Sequence, residues 1–253
     1  MNTGVVISAF CAAVALSADS LPVKYKMEQV VLTTEDGRTM NYCRRKMNWD
    51  LPGEPAVLLF LHGAGERGND NEKQLFHGAR EVTEWCEKNK MKVLLLFPQC
   101  PEGKQWVDTP WNAPSHTIPA ESESMKLAMT LLDEEIRIHK IDKSRVYISG
   151  ISMGGFGTWD AISRYPEKFT AAFPVCGGAD TAMADRVKNI PIRTYHGDSD
   201  TVVLTRRTRD MVEAVRKAGG NITYVEVPDC GHNSWTPAFQ EDDNWKWLFS
   251  QKK

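Results

Sequence analysis

The sequence predicts an α/β fold: a mostly parallel sheet of eight strands with an antiparallel N-terminal hairpin, helices on both faces and no cap domain. Three observations carry this reading. Six short, almost wholly apolar runs lie at residues 56–61, 92–97, 145–149, 170–175, 192–195 and 222–227, and such runs belong in parallel strands covered on both sides. Stretches of helical period separate them, which is the alternation of a doubly wound sheet. Before them, residues 28–34 and 39–45 flank the turn Glu35-Asp36-Gly37, a hairpin signal.

Taken along the chain, the hairpin supplies two strands and residues 56–61 and 92–97 the next two. Met125, Ala128, Met129, Leu132 and Ile136 then fall on one stripe of a helix. Residues 145–149 form the fifth strand, and 156–162 open a helix directly after it. The run 170–175 is the sixth strand, followed only by Cys176-Gly177-Gly178-Ala179-Asp180, too short for an inserted cap. Residues 192–195 are the seventh strand. A helix over about 204–218 carries Met211, Val212 and Val215 inward, and 222–227 is the last strand before a final helix.

Composition narrows the partners. The 253 residues hold 31 Lys+Arg against 33 Asp+Glu, a net charge of −2, with no basic block. Nucleic acid and anionic membrane are therefore not expected partners. Residues 5–16 form an apolar run too short to span a bilayer, but fitting the hydrophobic region of a secretory signal. Small residues follow it, although no Lys or Arg precedes it. The expected division is a signal peptide over 1–18, one catalytic domain over 22–253, and a secreted or periplasmic location. Cys43, Cys86, Cys100, Cys176 and Cys230 are scattered without a CxxC pair, so metal spacing is absent and burial as small apolar side chains is expected. One disulfide between Cys176 and Cys230 is the competing expectation. Neither metal nor cofactor is called for.

Gly150-Ile151-Ser152-Met153-Gly154 has the pattern GxSxG, between a strand and a helix. That strand–turn–helix context is what an exposed serine nucleophile needs. A serine hydroxyl requires a base, and only His196 and His232 follow Ser152 in the chain. His232 sits after the last strand and is the expected base, whereas His196 closes a strand and reads as a buried turn residue. The acid belongs in the loop His196-Gly197-Asp198-Ser199-Asp200, where spacing alone leaves both Asp198 and Asp200 open. An oxyanion needs backbone donors: one at Met153, the other in the Gly-rich loop Leu61-His62-Gly63-Ala64-Gly65-Glu66-Arg67-Gly68, with Ala64 the best placed. Glu66 and Arg67 read as an ion pair that fixes this loop.

The strings His62-Gly63-Ala64-Gly65-Glu66-Arg67-Gly68, Pro98-Gln99-Cys100-Pro101, Gly150-Ile151-Ser152-Met153-Gly154-Gly155 and His196-Gly197-Asp198-Ser199-Asp200 occur in this order. Together they resemble the single-domain α/β-hydrolase esterases grouped with polyhydroxybutyrate depolymerase-like and feruloyl or acetyl-xylan esterase-like proteins, some of them classed as peptidases or phospholipase/carboxylesterases. The resemblance implies a serine esterase with an α/β-hydrolase fold, the acid at Asp200 and an oxyanion donor at Ala64. The fungal feruloyl esterases carry a cysteine just before the nucleophile turn, where this chain has Ile151 or Ser149. Their substrate therefore does not transfer directly.

The expected function is a carboxylic ester hydrolase using Ser152, His232 and Asp200 through an acyl-enzyme, on acyl or feruloyl esters of plant polysaccharides. A peptidase or thioesterase on the same scaffold is the alternative, since a triad does not define the leaving group. A non-catalytic carbohydrate-binding relative is a more distant one. The long loop 99–119 is the expected seat of specificity; Trp106 and Trp111 on it, with Trp235 beyond the base, are the expected substrate-binding aromatics. Sequence leaves oligomeric state open.

Overall fold

The computed structural model describes residues 27–253, so the expected signal peptide at 1–18 lies outside the described residues. Strands β1 (Glu28–Thr33) and β2 (Thr39–Met47) form the hairpin, Glu28 opposite Arg44. Next come β3 (Ala56–Leu61), α1 (Ala79–Lys88), β4 (Val93–Pro98), α2 (Glu123–His139), β5 (Val146–Ile151) and α3 (Met153–Arg164). The chain continues through β6 (Ala171–Val175), α4 (Ala184–Val187), β7 (Ile192–Gly197), α5 (Arg206–Lys217), β8 (Ile222–Val227), α6 (Trp235–Gln240) and α7 (Asp242–Ser250).

The eight strands make one sheet in the order β1-β2-β4-β3-β5-β6-β7-β8. β2 runs antiparallel to both neighbours and the pairs from β3–β4 to β7–β8 are parallel. This is the α/β-hydrolase arrangement that the resemblance implies. Strand β4 crosses to the far side of β3, so the chain winds in both directions from β3 and the ends of β3 and β5 lie side by side.

The two-residue period of the strands divides the core into two layers. Val57, Leu59 and Leu61 pack with Met125, Ala128 and Leu132 of α2 and with α3 and α5. Leu58 and Phe60 face the other way, against Val82 and Trp85 of α1 and Phe239, Trp245 and Leu248 of α6 and α7. Helix α2 is capped by Ser122, whose Oγ accepts the Met125 N–H at 3.0 Å, a side-chain partner for an otherwise unpaired donor. Arg44 reaches both Glu28 and the buried Glu135 of α2 at 2.8 Å, tying the hairpin to the body.

Between β6 and β7 there is only a short turn over Thr181–Met183 and the one-turn α4. The loop from β4 to α2 has no regular element, yet it is anchored at two points. Trp106 is fully buried, its indole N–H donating to the His62 carbonyl at 3.1 Å. Arg207 of α5, 2 % exposed, lies over the Phe156 ring and donates to the Ala113 carbonyl at 2.7 Å and to His116 Nδ1. The five described cysteines are all free, four of them buried, so no Cys176–Cys230 bridge forms.

Candidate active site

Ser152 stands between β5 and α3 with φ +53° and ψ −117°. A non-glycine residue is strained there, and the surroundings enforce the turn. A Cβ on Gly154 would lie 1.9 Å from the Leu61 carbonyl oxygen, and one on Gly150 would lie 2.4 Å from the Gly154 carbonyl oxygen. Without side chains at these two points, the start of α3 can press against the end of β3. Helix α3 begins at Met153, three residues before the apolar stretch that announced it, because the elbow glycines already belong to its first turn.

His232 arrives on the loop after β8. Its Nε2 lies 2.8 Å from Ser152 Oγ and its Nδ1 lies 2.7 Å from Asp200 Oδ2. The other carboxylate oxygen of Asp200 accepts the Val202 and Val203 N–H groups at 2.8 and 3.0 Å. Burial alone would raise this carboxyl's pKa, but bonds from His196, His232 and Val203 outweigh it and hold it well below the usual range. Asp198 is exposed and accepts the neighbouring Ser199 hydroxyl at 2.8 Å. The structure therefore brings Asp200, not Asp198, to His232.

His196 is buried, as expected of a residue closing β7, but it does more than fill a turn. Its Nε2 sits 3.0 Å from Asp200 Oδ2 and 2.9 Å from the Val203 carbonyl, and its Nδ1 lies 2.7 Å from Thr208 Oγ1. Both neighbours of Nε2 are acceptors, so that nitrogen carries a proton. Asp200 Oδ2 thus meets two imidazoles, those of His196 and His232. The legible signal was a histidine four residues before the acid.

The two expected oxyanion donors both open helical turns. Ala64 begins the short turn Ala64–Glu66 and Met153 begins α3; first-turn N–H groups have no partner within their own helix. His62 secures the first of these loops. Its Nδ1–H meets the Gly63 carbonyl at 2.6 Å, and its Nε2 accepts the Cys100 N–H at 2.9 Å. Burial pushes the His62 pKa down to about 4, which keeps Nε2 free to accept. Arg67 donates to the carbonyls of Ala64 and Lys104, while Glu66 faces His77 at 3.9 Å. The loop is therefore fixed through backbone carbonyls and not through the expected Glu66–Arg67 pair.

Of the expected substrate-binding aromatics, Trp106 is corrected. At 0 % exposure, with its N–H spent on His62, it has no face for a ligand. Trp111 lines an open cavity of about 400 Å³ with Gln105, Thr109, Pro110, Asn112 and Val202. Trp235 stands edge-on to His232, ring centres 5.4 Å apart, and packs on His77. Among the described residues no cluster of His, Cys, Asp and Glu is placed to hold a metal ion. No helix there is long and apolar enough to cross a membrane.

The sequence profile of the phospholipase/carboxylesterase family matches residues 52–244, a span that takes in every residue of the Ser152–His232–Asp200 chain. An uncharacterized secreted protein of Arthroderma benhamiae is 27% identical over 78% of this chain and 23% of its own length. A bifunctional acetylxylan esterase/xylanase of Neocallimastix patriciarum is 31% identical over 42% of this chain and 17% of its own. The crystal structure of a thermostable esterase superposes with a TM-score of 0.80 and 30% identity, covering 90% of this chain and 63% of that one. The chain thus spans less than two thirds of each of these three proteins.

Proposed function

Since the chain belongs to the phospholipase/carboxylesterase family of α/β-hydrolases, we propose that it is a serine carboxylic ester hydrolase. The observation that carries this is the unbroken run Ser152–His232–Asp200, with contacts of 2.8 and 2.7 Å. His232 Nε2 takes the Ser152 proton as Oγ attacks the ester carbonyl. Met153 and Ala64 offer their N–H groups to the oxyanion. His232 then gives the proton to the departing alcohol, leaving an acyl group on Ser152. Water then attacks the acyl carbonyl and loses a proton to the same imidazole, and the acid leaves as that proton returns to Ser152 Oγ. Asp200 keeps Nδ1 of His232 protonated and stabilises the imidazolium in both steps.

The reading extends to acyl or feruloyl esters of plant polysaccharides. It is supported by the short β6–β7 connection, which leaves the site without a cap, and by the partial similarity to an acetylxylan esterase. Secretion is part of the same proposal, supported by the apolar run at 5–16 and by the secreted fungal relative. A peptidase or thioesterase would use the same three side chains.

Labelling with a fluorophosphonate tests the core of the proposal. The wild-type protein is expected to be labelled once per chain and the Ser152→Ala variant not at all. An unlabelled wild type, or a labelled variant, would overturn it. Initial rates on p-nitrophenyl acetate and on a peptide p-nitroanilide then separate esterase from peptidase, with a faster ester expected.

A further inference from the structure

We propose that His196 is a positioning residue for ester hydrolysis: it shares the Asp200 oxygen that holds His232, and so fixes where that oxygen lies and how much of its charge the base draws on. The assignment rests on the ester-hydrolase reading above and adds a further side chain to those that govern its rate.

An ionised carboxylate has about four places for donors, and at Asp200 all of them are taken. Oδ1 accepts the Val202 and Val203 N–H groups at 2.8 and 3.0 Å. Oδ2 accepts His232 Nδ1–H at 2.7 Å and His196 Nε2–H at 3.0 Å. The two amides stop the carboxylate from turning, and the two imidazoles divide one oxygen between them. Negative charge that Oδ2 commits to His196 is withheld from His232. Without His196, one lone pair of Oδ2 would be left empty in a site where Asp200 is buried.

His196 is itself held on every side. Its ring is 0 % exposed at the end of β7. Nδ1 lies 2.7 Å from Thr208 Oγ1 of α5, and that hydroxyl also reaches the Gly177 carbonyl at 2.9 Å. Gly177 in turn presses on the first turn of α3, where a Cβ added to it would lie 2.4 Å from the Gly155 carbonyl carbon. The acid is therefore referenced to the nucleophile turn along a second path, Asp200–His196–Thr208–Gly177–Gly155, which does not pass through His232. A histidine that merely closed a strand would need no such path. The Val203 carbonyl, 2.9 Å from Nε2, would satisfy its N–H alone.

The other ionisable neighbours are accounted for. Glu226 of β8 stands opposite His196 in register, but Arg209 of α5 and the Tyr224 hydroxyl bind its carboxylate and hold its pKa down at about 2. Burial pushes the thiols of Cys176, after β6, and Cys230, before the base, upward, which keeps them neutral beside Asp200. His232 is left as the group with which His196 shares the acid.

Two substitutions separate the bonds of His196. His196→Gln places an amide N–H where Nε2 stood, toward Asp200, whereas His196→Asn reaches only as far as Nδ1, toward Thr208. Initial rates on p-nitrophenyl acetate are followed from about pH 5 to 9, with thermal melts to confirm folding. His196→Asn is expected to lower kcat about tenfold, the scale of one hydrogen bond to a charged group, with KM within about twofold. Its Oδ2 charge returns wholly to His232 and favours the imidazolium, so the acid limb of kcat/KM moves up by about half a pH unit or more. His196→Gln is expected to restore the limb to within about 0.2 unit of wild type. Glu226→Gln, which discharges the β8 neighbour, is expected to leave the limb in place. A wild-type limb in His196→Asn, equal behaviour of the Asn and Gln variants, or an equal shift from Glu226→Gln would overturn the proposal. A measurement on the wild type covers the case in which His196→Asn fails to fold. With ¹⁵N-labelled histidine, the ring N–H protons of His196 Nε2 and His232 Nδ1 are expected both to move when a fluorophosphonate occupies Ser152, since one oxygen carries both bonds. A His196 signal that is absent or unmoved would overturn the assignment. A wild type that neither cleaves the ester nor takes up the fluorophosphonate would count against the esterase reading, whereas an active wild type with an unmoved limb in His196→Asn counts against His196 alone.

Discussion

At Asp200 burial and hydrogen bonding act on the carboxyl in opposite directions, and bonding prevails: burial pushes its pKa up, but His196, His232 and Val203 hold it well below the usual range. Two residues away, Asp198 lies exposed in solvent. The difference sets up a direct comparison. Asp200→Asn is expected to lower kcat about 10³- to 10⁴-fold, the scale of losing an imidazole's correct tautomer, whereas Asp198→Asn stays within about twofold. Rates on p-nitrophenyl acetate at neutral pH measure both, and the reverse order would exchange their roles. Spacing in the sequence could not separate the two, because the choice depends on which carboxylate turns toward the Val202 and Val203 amides, a tertiary matter. The resemblance to a family did separate them. His196 shows the same limit: its burial was readable, but its bond to the acid required the loop to fold back by four residues. Trp106 shows the opposite error, since an aromatic on a long loop can serve as the peg that holds that loop down.

Among the elements, those with strong period were legible. The apolar runs became strands, and the Met125–Leu132 stripe became the buried face of α2. Helix α1 is weakly marked in the sequence, although Val82, Trp85 and Cys86 recur at helical spacing; a short helix with charged residues between those positions gives a faint signal. The elbow between β5 and α3 was legible from its glycines, and the structure says what they do. Gly154→Ala would normally favour a helix by about 1 kcal/mol. Here the new methyl would meet the Leu61 carbonyl oxygen at 1.9 Å, and backbone cannot move aside cheaply. A net loss of about 3 kcal/mol or more is expected, a fall in Tm of roughly 10 °C. Gly65→Ala, which meets nothing within 4 Å, is the matched control in the same thermal melt. A Gly154→Ala protein as stable as the control would show that the elbow tolerates a side chain.

Across the whole molecule, two imidazoles, the buried His62 and the half-buried His116, couple folding to pH. Burial brings His62 down to about 4, and burial with the nearby Arg207 charge does the same for His116. In the unfolded chain a histidine takes its proton near 6.5. Between about pH 6.5 and 4 the unfolded state therefore binds protons that the folded state refuses, so stability rises with pH over that window and is complete above it. For His62 the difference corresponds to about 3 kcal/mol, or roughly 6–12 °C of Tm. Melts from pH 7 to pH 4.5 are expected to fall by at least this much, and His62→Gln to show a shallower slope. Slopes that match would mean His62 is protonated in the folded state. The overall architecture was the most legible level of all, because strand count, order of motifs and the short β6–β7 link follow from pattern and chain length. The anchoring of the 99–119 loop at Trp106 and at Ala113 was not, since both anchors reach partners far along the chain. That pair of anchors has a bearing on how such a protein diversifies. Between them only residues 107–112 are held by neither, and these carry Thr109, Trp111 and Asn112. Rewriting the exposed residues of that span is expected to reshape the open cavity they line, while the pegs on either side and the reactive serine keep their places.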